Sequence, residues 1–465
     1  MRRIDLKDGE LFDASLLERQ GAFDPEAMKV AVDIVANVRE NGDEALREYA
    51  LKFDGVELDA LEVTEEEIEQ AMATVDEDFL RSVEYAADNI TDFHKRQLQQ
   101  SWFSTRADGA ITGQKVTPLD RVGIYVPGGR AQYPSTVLMN ALPARVAGVG
   151  EIIMCTPPSK DGRVNPYTLA AASIAGVDRI FKTGGAQAIG AMAYGTESIP
   201  AVDKVTGPGN AFVAAAKKLV SGDVGIDMIA GPSEVCVVAD DTAFPEFIAI
   251  DLMAQAEHDP KATCYFVTTE PELVEEVEDA IEELLEQSER AEITRASLDH
   301  GLIITCNTLT QAFDAVNTIA PEHLEIYMSD PWELLSSVKH AGAIFMGPWT
   351  PESVGDYVAG PNHTLPTGGT AAFSGPLSVD DFVKKSSIIS YTYDALEADA
   401  DAIMTLASRE GLWAHGRAVD LRMQFMQYAI GALTEGEGCG CGDPDCECGH
   451  GDDPDHVCEC GHSHE

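Results

Sequence analysis

The chain has 465 residues, 45% of them hydrophobic, which is enough for two or more folded domains rather than one small core. Its 79 acidic residues against 32 basic ones give a formal net charge of -47. Because nucleic acids and anionic membrane surfaces repel so acidic a protein, we expect neither a nucleic-acid partner nor a membrane partner.

Only ten of the acidic residues lie after residue 434, so the acidity belongs to the whole chain. It favours a protein that stays soluble in molar salt, as in a halophilic, haloarchaeal-like cell, and an ordinary acidic cytosolic protein is the alternative. Residues 1–16 lack the apolar stretch of a secretory signal, and no run approaches 18 apolar residues, so we expect a cytoplasmic location. Four cysteines in apolar runs are expected to be reduced and buried: Cys155, Cys236, Cys264 and Cys306.

The predicted elements begin with helices over residues 26–100, where Thr64 followed by three glutamates predicts a helix start. From residue 121 onward, strands and helices alternate. The first alternation comprises strand 121–126, helix 136–147, strand 151–155, helix 166–175 and strand 179–182. The second comprises strand 234–238, helix 243–257, strand 262–268, helix 271–286, strand 301–305, helix 309–317 and strand 343–346. This pattern predicts an α/β fold with two similar units built on parallel sheets, and residues 379–431 are predicted to be helical.

Three glycine-rich loops follow predicted strands of the first alternation. They are Pro127-Gly128-Gly129, Gly184-Gly185-Ala186-Gln187 and Gly207-Pro208-Gly209-Asn210. Glycines in such loops let backbone amides approach a phosphate at a helix N-terminus. None has the G-x-G-x-x-G spacing, so generic tight turns explain the three loops about equally well.

Two histidines stand beside polar residues suited to metal or acid–base chemistry. Gln255 and His258 are three residues apart at the end of a predicted helix, so both side chains project from one face. Glu322 and His323 are adjacent at a predicted helix or loop start, where both could reach one substrate. Taken singly, each motif has a more common explanation, which is a structural histidine for the first and a surface position for the second.

Two further segments have the composition of functional loops. Residues 352–369 are dense in Gly and Pro and include Asp356 and His363, which is unusual for a simple connection. Glu410 lies five residues before His415 at the start of a predicted helix.

Together these motifs resemble those of the histidinol dehydrogenase family, in the same order and spacing over residues 1–434. The most specific stretches are residues 254–259, 321–324, 355–357 and 362–367. The resemblance implies two related, incomplete Rossmann-like units with smaller segments at the chain ends, in an intertwined homodimer. It also implies a zinc- and NAD-dependent enzyme that oxidises L-histidinol twice, through L-histidinal to L-histidine, as the last step of histidine biosynthesis.

The resemblance further implies a role for each matching residue. The zinc ligands would be Gln255, His258, Asp356 and His415, with His415 and Glu410 supplied by the partner subunit. The catalytic pair would be Glu322, which activates a water, and His323, which removes the hydroxyl proton. The NAD contacts would be Tyr125, Gln187 and Asn210. The substrate contacts would be Ser233, Gln255, His258, His323, Asp356, Glu410 and His415. A relative that oxidises another small alcohol is an alternative, as is a metal-storage protein that uses its C-terminal tail.

The expected domain boundaries follow from the same resemblance. They are an N-terminal arm (1–22), a first α/β domain (23–122 and 236–378), an NAD-binding second α/β domain (123–235), an exchanged helical segment (379–434) and an acidic tail (435–465). The tail has no counterpart in the family. It holds six cysteines and four histidines with spacings suited to one or two more zinc sites, although a solvated acidic tail is the alternative. These residues are Cys439, Cys441, Cys446, Cys448, Cys458, Cys460, His450, His456, His462 and His464.

Overall fold

The computed structural model describes residues 1–17, 19, 24–128 and 132–435, with side chains up to residue 430. These residues form two compact units. Unit 1 comprises Met1–Gln99 and Val116–Lys384, and unit 2 comprises Gln100–Lys115 and the described residues from Lys385 onward. No helix in this part of the chain is long and apolar enough to cross a membrane.

Strands and helices follow one another along most of the described chain. The strands are β1 (Arg2–Asp5), β2 (Trp102–Thr105), β3 (Ile111–Pro118), β4 (Arg121–Tyr125), β5 (Glu151–Thr156), β6 (Arg179–Lys182), β7 (Lys204–Thr206), β8 (Gly225–Ile226), β9 (Glu234–Ala239), β10 (Thr263–Thr268), β11 (Leu302–Thr305), β12 (His323–Tyr327), β13 (Ala343–Met346) and β14 (Val383–Ser390). The α-helices are α1 (Pro25–Tyr49), α2 (Glu65–Thr74), α3 (Glu77–Lys95), α4 (Pro134–Ala147), α5 (Pro166–Ala175), α6 (Gly185–Tyr194), α7 (Ala211–Val220), α8 (Pro245–Ala256), α9 (Pro271–Leu285), α10 (Ala291–His300), α11 (Leu309–Ile319), α12 (Pro331–Leu334), α13 (Glu352–Tyr357), α14 (Tyr393–Arg409) and α15 (Trp413–Glu435).

A five-stranded parallel sheet in the order β6-β5-β4-β7-β8 forms the first half of unit 1. Successive side chains of a strand point to opposite faces, so each strand supplies two cores. Ile152 and Met154 of β5 pack with helices α2 to α5, whereas Ile153 and Cys155 pack with α1, α6 and α7. The sheet is therefore covered by helices on both faces, as expected for a doubly wound unit.

A six-stranded parallel sheet in the order β1-β11-β10-β9-β12-β13 forms the second half of unit 1. Val235 and Val237 of β9 pack with α8, α9 and α10, and Cys236 and Val238 pack with α11 on the other face. The prediction of an α/β fold with two parallel sheets is thus confirmed. The four cysteines predicted to be buried are all buried free thiols.

The N-terminal helices belong to a different half of unit 1 than the predicted domain boundaries imply. Those boundaries group residues 23–122 with residues 236–378, but α1, α2 and α3 pack on the five-stranded sheet. A Cβ atom on Gly190 of α6 would lie 3.4 Å from Val35, which shows how closely α1 approaches α6. The N-terminal segment also differs from a separate arm, because β1 pairs with β11 as an edge strand of the six-stranded sheet. Hydrophobic periodicity predicts that a helix is buried but not which sheet buries it.

Unit 2 consists of a three-stranded sheet in the order β14-β3-β2 and the helices α14 and α15. The prediction that residues 379–431 are all helical was wrong for β14. The sequence of this strand is Val-Lys-Lys-Ser-Ser-Ile-Ile-Ser, and its side chains are mostly exposed. It therefore lacks the alternation of apolar and polar residues that predicts a half-buried strand. Arg106 links the strands to the helix of this unit, because its guanidinium pairs with Asp108 and Asp399.

Unit 2 also exposes many large apolar side chains for its size. They include Trp102, Phe103, Ile389, Leu406, Trp413, Phe425 and Tyr428. Trp413 and Tyr428 are 78% and 77% exposed, which is far from the usual burial of such residues. The predicted tail sites, from Cys439 to His464, lie outside the described residues.

Candidate active site

The predicted acid–base pair lies at the start of β12. His323 is the first residue of this strand and Glu322 directly precedes it, so the expected helix or loop start is in fact a strand start. Both side chains are buried. The backbone N–H of Glu234 on the neighbouring strand β9 donates to Glu322 Oε2 at 2.9 Å. His323 Nδ1 lies 3.2 Å from the Glu234 carbonyl oxygen. A carbonyl can only accept, so this contact is a hydrogen bond when Nδ1 carries the proton. His323 Nε2 is buried and has no hydrogen-bond partner among the described residues.

Burial sets the protonation of this pair. Removal from water raises the pKa of Glu322 well above its usual value, since the buried site disfavours the carboxylate. The same burial lowers the pKa of His323 to about 3, so its imidazole is neutral at physiological pH. The site thus holds an unprotonated imidazole nitrogen beside a carboxyl group of raised proton affinity. These are the properties of a general base and of a group that can exchange protons with water.

A cluster of metal-binding side chains faces His323. His258, Glu352 and Asp356 each offer a ligand atom, and these atoms lie within 4.8 Å of one another. His323 Nε2 lies 3.9 Å from Glu352 Oε1 and 3.9 Å from Asp356 Oδ1. Asp356 belongs to the short helix α13, so the segment predicted as a long loop begins with one helical turn and a half.

Gln255 completes this cluster from the last turn of α8. The orientation of its amide is assigned from its neighbours. With the nitrogen towards Glu352, it lies within hydrogen-bond distance of both carboxylate oxygens of Glu352, at 2.9 and 3.0 Å, and of His323 Nδ1, at 3.0 Å. The amide oxygen is then not used by Glu352 and remains available as a ligand.

The donor set fits a divalent metal such as zinc. The site offers imidazole nitrogen, carboxylate oxygen and amide oxygen, which suit Zn²⁺ and other borderline cations. Glu322, Glu352 and Asp356 form no ion pair with Lys or Arg in the described chain. Burial raises the pKa of Asp356 to about 7, and carboxylates in such surroundings need a cation to stay ionised.

The three predicted NAD contacts lie at the carboxyl ends of β4, β6 and β7 in the five-stranded sheet. The Tyr125 hydroxyl accepts the N–H of Gly185 at 3.0 Å and so shapes the turn that begins α6. Gln187 is buried in the first turn of α6, and Asn210 is an exposed N-cap of α7. The N-cap residue of α6 is Gly184, which has no side chain to cap the helix, so Tyr125 binds the N–H of Gly185 instead. Backbone N–H groups at a helix start of this kind can bind an anion such as a diphosphate.

The remaining predicted residues lie in different places. Ser233 directly precedes β9, where its carbonyl accepts the N–H of Thr263 at 3.0 Å. Glu410 follows α14 and His415 lies in the first turn of α15, and both are exposed residues of unit 2. Unit 1 therefore brings together Gln255, His258, Glu322, His323 and Asp356.

The sequence analysis did not single out Glu352 as a site residue. A signal was available, because Glu352 and Asp356 are four residues apart and so share one face of a helix. Behind Glu352, its backbone N–H donates to Glu325 Oε1 at 2.9 Å. Glu325 is fully buried, and its neighbour Tyr327 donates a hydrogen bond to Asp251. This second row of acids fixes the start of α13 and hence the position of Glu352.

The fold and the site define the class as a dehydrogenase-like α/β enzyme. It has two parallel sheets covered by helices, glycine-rich loops at strand ends, and an acid–base pair beside the metal-type cluster of Gln255, His258, Glu352 and Asp356. Comparison with known proteins gives the family. The family model described as histidinol dehydrogenase matches residues 17–423. The histidinol dehydrogenase of Syntrophotalea carbinolica is 54% identical over 430 residues, covering 91% of this chain and 99% of that protein. The chain belongs to the histidinol dehydrogenase family.

Further relatives agree with this assignment. The Bacillus subtilis histidinol dehydrogenase is 54% identical over 398 residues, covering 85% of this chain and 93% of that protein. The crystal structure of histidinol dehydrogenase from Elizabethkingia anophelis superposes with a TM-score of 0.87 at 35% identity, covering 92% of this chain and 99% of that chain. The family predicted from the sequence motifs is therefore confirmed, and with it the fold.

Proposed function

We propose that this chain oxidises L-histidinol to L-histidine through L-histidinal, with NAD as the electron acceptor, as the last step of histidine biosynthesis. The observation that carries the proposal is the free Nε2 of His323, 3.9 Å from two carboxylates of a metal-type cluster and beside the buried carboxyl of Glu322. Family membership supports the same reaction.

The proposed metal is zinc, held by Gln255, His258 and Asp356 together with His415 of a second copy of the chain. Histidinol offers an imidazole and an amine, and both can coordinate zinc. The metal would therefore hold the substrate in place beside His323, so that its main contribution is orientation. Glu352 supports this arrangement, because it accepts the Gln255 amide N–H groups and turns the amide oxygen away for coordination.

The proposed assembly is an intertwined homodimer in which Glu410 and His415 complete the site of the other chain. Both residues are exposed in unit 2, which supports their availability to a partner. The exposed apolar side chains of unit 2 support an interface there, since a monomer rarely leaves so many in water. The symmetric exchange would create two equivalent sites.

In the first half-reaction, His323 Nε2 takes the hydroxyl proton of histidinol while a hydride leaves the adjacent carbon. NAD supplies the hydride acceptor, bound along Tyr125, Gln187 and Asn210. The contact of Nδ1 with the Glu234 carbonyl raises the proton affinity of His323 and so offsets part of the burial that lowers its pKa. The product is the aldehyde. The two electrons leave with the hydride, and the hydroxyl proton is held by His323.

In the second half-reaction, the ionised form of Glu322 accepts a proton from a water as the water oxygen adds to the aldehyde carbon. Burial raises the pKa of Glu322, so this ionised form is a stronger base than an exposed carboxylate. The proton that His323 took in the first half-reaction goes to the aldehyde oxygen, which makes the neutral hydrate and restores the base. The hydrate then gives a hydroxyl proton to His323 and a hydride to a second NAD, and the carboxylic acid that forms ionises to the carboxylate. Ser233 and Glu410 are proposed to hold the polar groups of the substrate during both steps. Burial of the Glu322–His323 pair excludes competing water from these transfers.

We further propose that the tail from Cys439 to Cys460 binds additional zinc and that the enzyme works in high salt. The tail proposal is supported only by the close spacing of its thiols and imidazoles. The salt proposal is supported by the net charge of -47.

The experiment that tests the function measures NADH formation with L-histidinol over a range of salt concentrations. We expect two NADH per histidinol, loss of turnover on chelation and recovery with zinc. A matched series of other small alcohols tests the substrate. Faster turnover of a simple alcohol, or one NADH per histidinol, would contradict the proposal.

A further inference from the structure

A buried ion pair binds the backbone of the glycine loop between β7 and α7. Lys217 lies on α7 and Asp227 follows β8, and their side chains are only 3% and 1% exposed. They form a direct ion pair. No mechanism step uses either residue, and both lie close to the Asn210 loop rather than to the metal-type cluster.

The ion pair holds both polar backbone groups of one residue. The Gly207 N–H donates to Asp227 Oδ2 at 2.8 Å. The Gly207 carbonyl accepts from Lys217 Nζ at 2.9 Å. Hydrogen bonds to buried charged groups are stronger than those between neutral groups, so the orientation of this peptide is strongly fixed.

Gly207 is held in a conformation that a side chain would not permit. Its φ is +110°, and a Cβ atom there would lie 2.1 Å from the carbonyl oxygen of Tyr125. The loop is therefore pressed against the end of β4, where Tyr125 is located. Three residues later, Asn210 caps α7 by accepting the N–H groups of Phe212 and Val213.

We propose that Lys217 and Asp227 are positioning residues for the dinucleotide cofactor. By clamping Gly207 they set the distance between Tyr125 and Asn210, two of the residues to which the proposed function assigns NAD contacts. The inference rests on that proposed function. Because α7 carries both Asn210 at its cap and Lys217 two turns later, one rigid element ties the clamp to the cofactor contact.

Two physical arguments favour positioning over the alternatives. A direct phosphate contact by Lys217 is excluded because its ammonium is buried and already bound to Asp227 and to the Gly207 carbonyl. A role in stability alone explains the charges poorly, since a buried ion pair is often no more stabilising than an apolar pair of similar volume. What an apolar pair cannot do is hold the N–H and the carbonyl of Gly207.

The test compares single and double variants in the full-length zinc-loaded enzyme. Lys217→Met and Asp227→Asn each leave one buried group without its partner, and we expect both to lower Tm. Lys217→Met combined with Asp227→Leu removes both charges and should recover most of that Tm. We expect the double variant still to raise the KM for NAD about 10- to 100-fold, because Gly207 remains unclamped, with the KM for histidinol nearly unchanged.

A control pair that also binds backbone groups, but is more exposed, lies at the opposite edge of the same sheet. Arg145 pairs with Asp178, donates to the Gly176 carbonyl at 2.8 Å, and Asp178 accepts the N–H of Ile152 at 2.7 Å. This pair also grips backbone groups but lies at the amino ends of β5 and β6. We expect Arg145→Met with Asp178→Leu to leave the KM for NAD unchanged, whatever it does to Tm.

The outcomes separate the inference from the function on which it rests. A double Lys217/Asp227 variant with recovered Tm and a wild-type KM for NAD overturns the positioning role. So does an equal rise in the KM for NAD in the Arg145/Asp178 control. If the wild-type enzyme instead oxidises histidinol without NAD, the proposed function fails first.

Discussion

Replacement of Glu322 by Gln should separate the two oxidations. The carboxylate oxygen that accepts the Glu234 N–H at 2.9 Å becomes an amide oxygen, which accepts the same hydrogen bond. The side chain therefore keeps its position and volume but can no longer take a proton from water. Alcohol oxidation, which relies on His323, should be nearly unaffected, whereas aldehyde oxidation should be slow.

The expected magnitude follows from the role and the burial of the group. Loss of a positioned general base costs about 100- to 10,000-fold in rate. Glu322 as a whole residue is only 6% exposed, so solvent has little access to replace its carboxyl group, and we expect the upper part of this range. His323→Ala should slow both halves by a comparable factor, because both hydride transfers need the same Nε2.

The assay supplies histidinal directly in each direction. With NADH, the Glu322→Gln enzyme should reduce histidinal to histidinol at nearly the wild-type rate. With NAD, the same enzyme should barely oxidise it. His323→Ala serves as the comparison that fails in both directions. If the two variants lose the same activity in both directions, the division of labour between Glu322 and His323 is wrong.

Four further predictions concern ionisation, metal, assembly and the tail. Because the pKa of Glu322 is raised, the folded state keeps a proton that the unfolded state loses, so the free energy of unfolding should fall as pH rises above about 4.5. Thermal unfolding of the Glu322→Gln variant should lack this part of the pH dependence. Zinc affinity, measured by competition with a chelator, should fall about tenfold per pH unit below 7, because Asp356, with a pKa of about 7, must ionise to bind the metal. Zinc affinity that does not change with pH would contradict the role of Asp356 as a ligand. Mixing inactive His258→Ala and His415→Ala chains should restore activity, because each heterodimer has one intact site. If no activity returns after subunit exchange has been verified, the site is not shared between chains. A chain ending at Thr434 should turn over normally in excess zinc, and a loss of activity would show that the tail is structural.

The comparison of sequence and structure shows which features a sequence can predict. The bounds of α5, β6 and β13 agree with the prediction, because each is a short run with apolar residues at its centre, set between Gly, Pro or charged residues that end it. The exposed strand β14 was missed because its polar sequence has no periodic burial to reveal it. The packing of α1 on the five-stranded sheet depends on contacts distant in the chain, such as Val35 with Gly190, which local patterns do not encode.

The candidate site shows the same division. The motif residues near Gln255, Glu322 and Asp356 were predicted, and unit 1 brings them together. Glu352 was overlooked because an acid near the start of a loop is common on any surface. Its importance comes from three-dimensional facts: burial, the Gln255 amide and the nearby Nε2 of His323.

The two reactive groups are both held by the main chain of a single residue, Glu234, rather than by its side chain. Its N–H binds Glu322 and its carbonyl binds His323. No amino-acid substitution except proline removes that N–H, and none removes the carbonyl. A mutational scan of position 234 would therefore report on the side chain, which pairs with Arg19, and would be blind to the support of the catalytic pair. Replacing the Glu234 amide by an ester through chemical synthesis would remove the N–H and so measure its support of Glu322. Part of the catalytic apparatus of this enzyme therefore cannot be altered by ordinary amino-acid substitution.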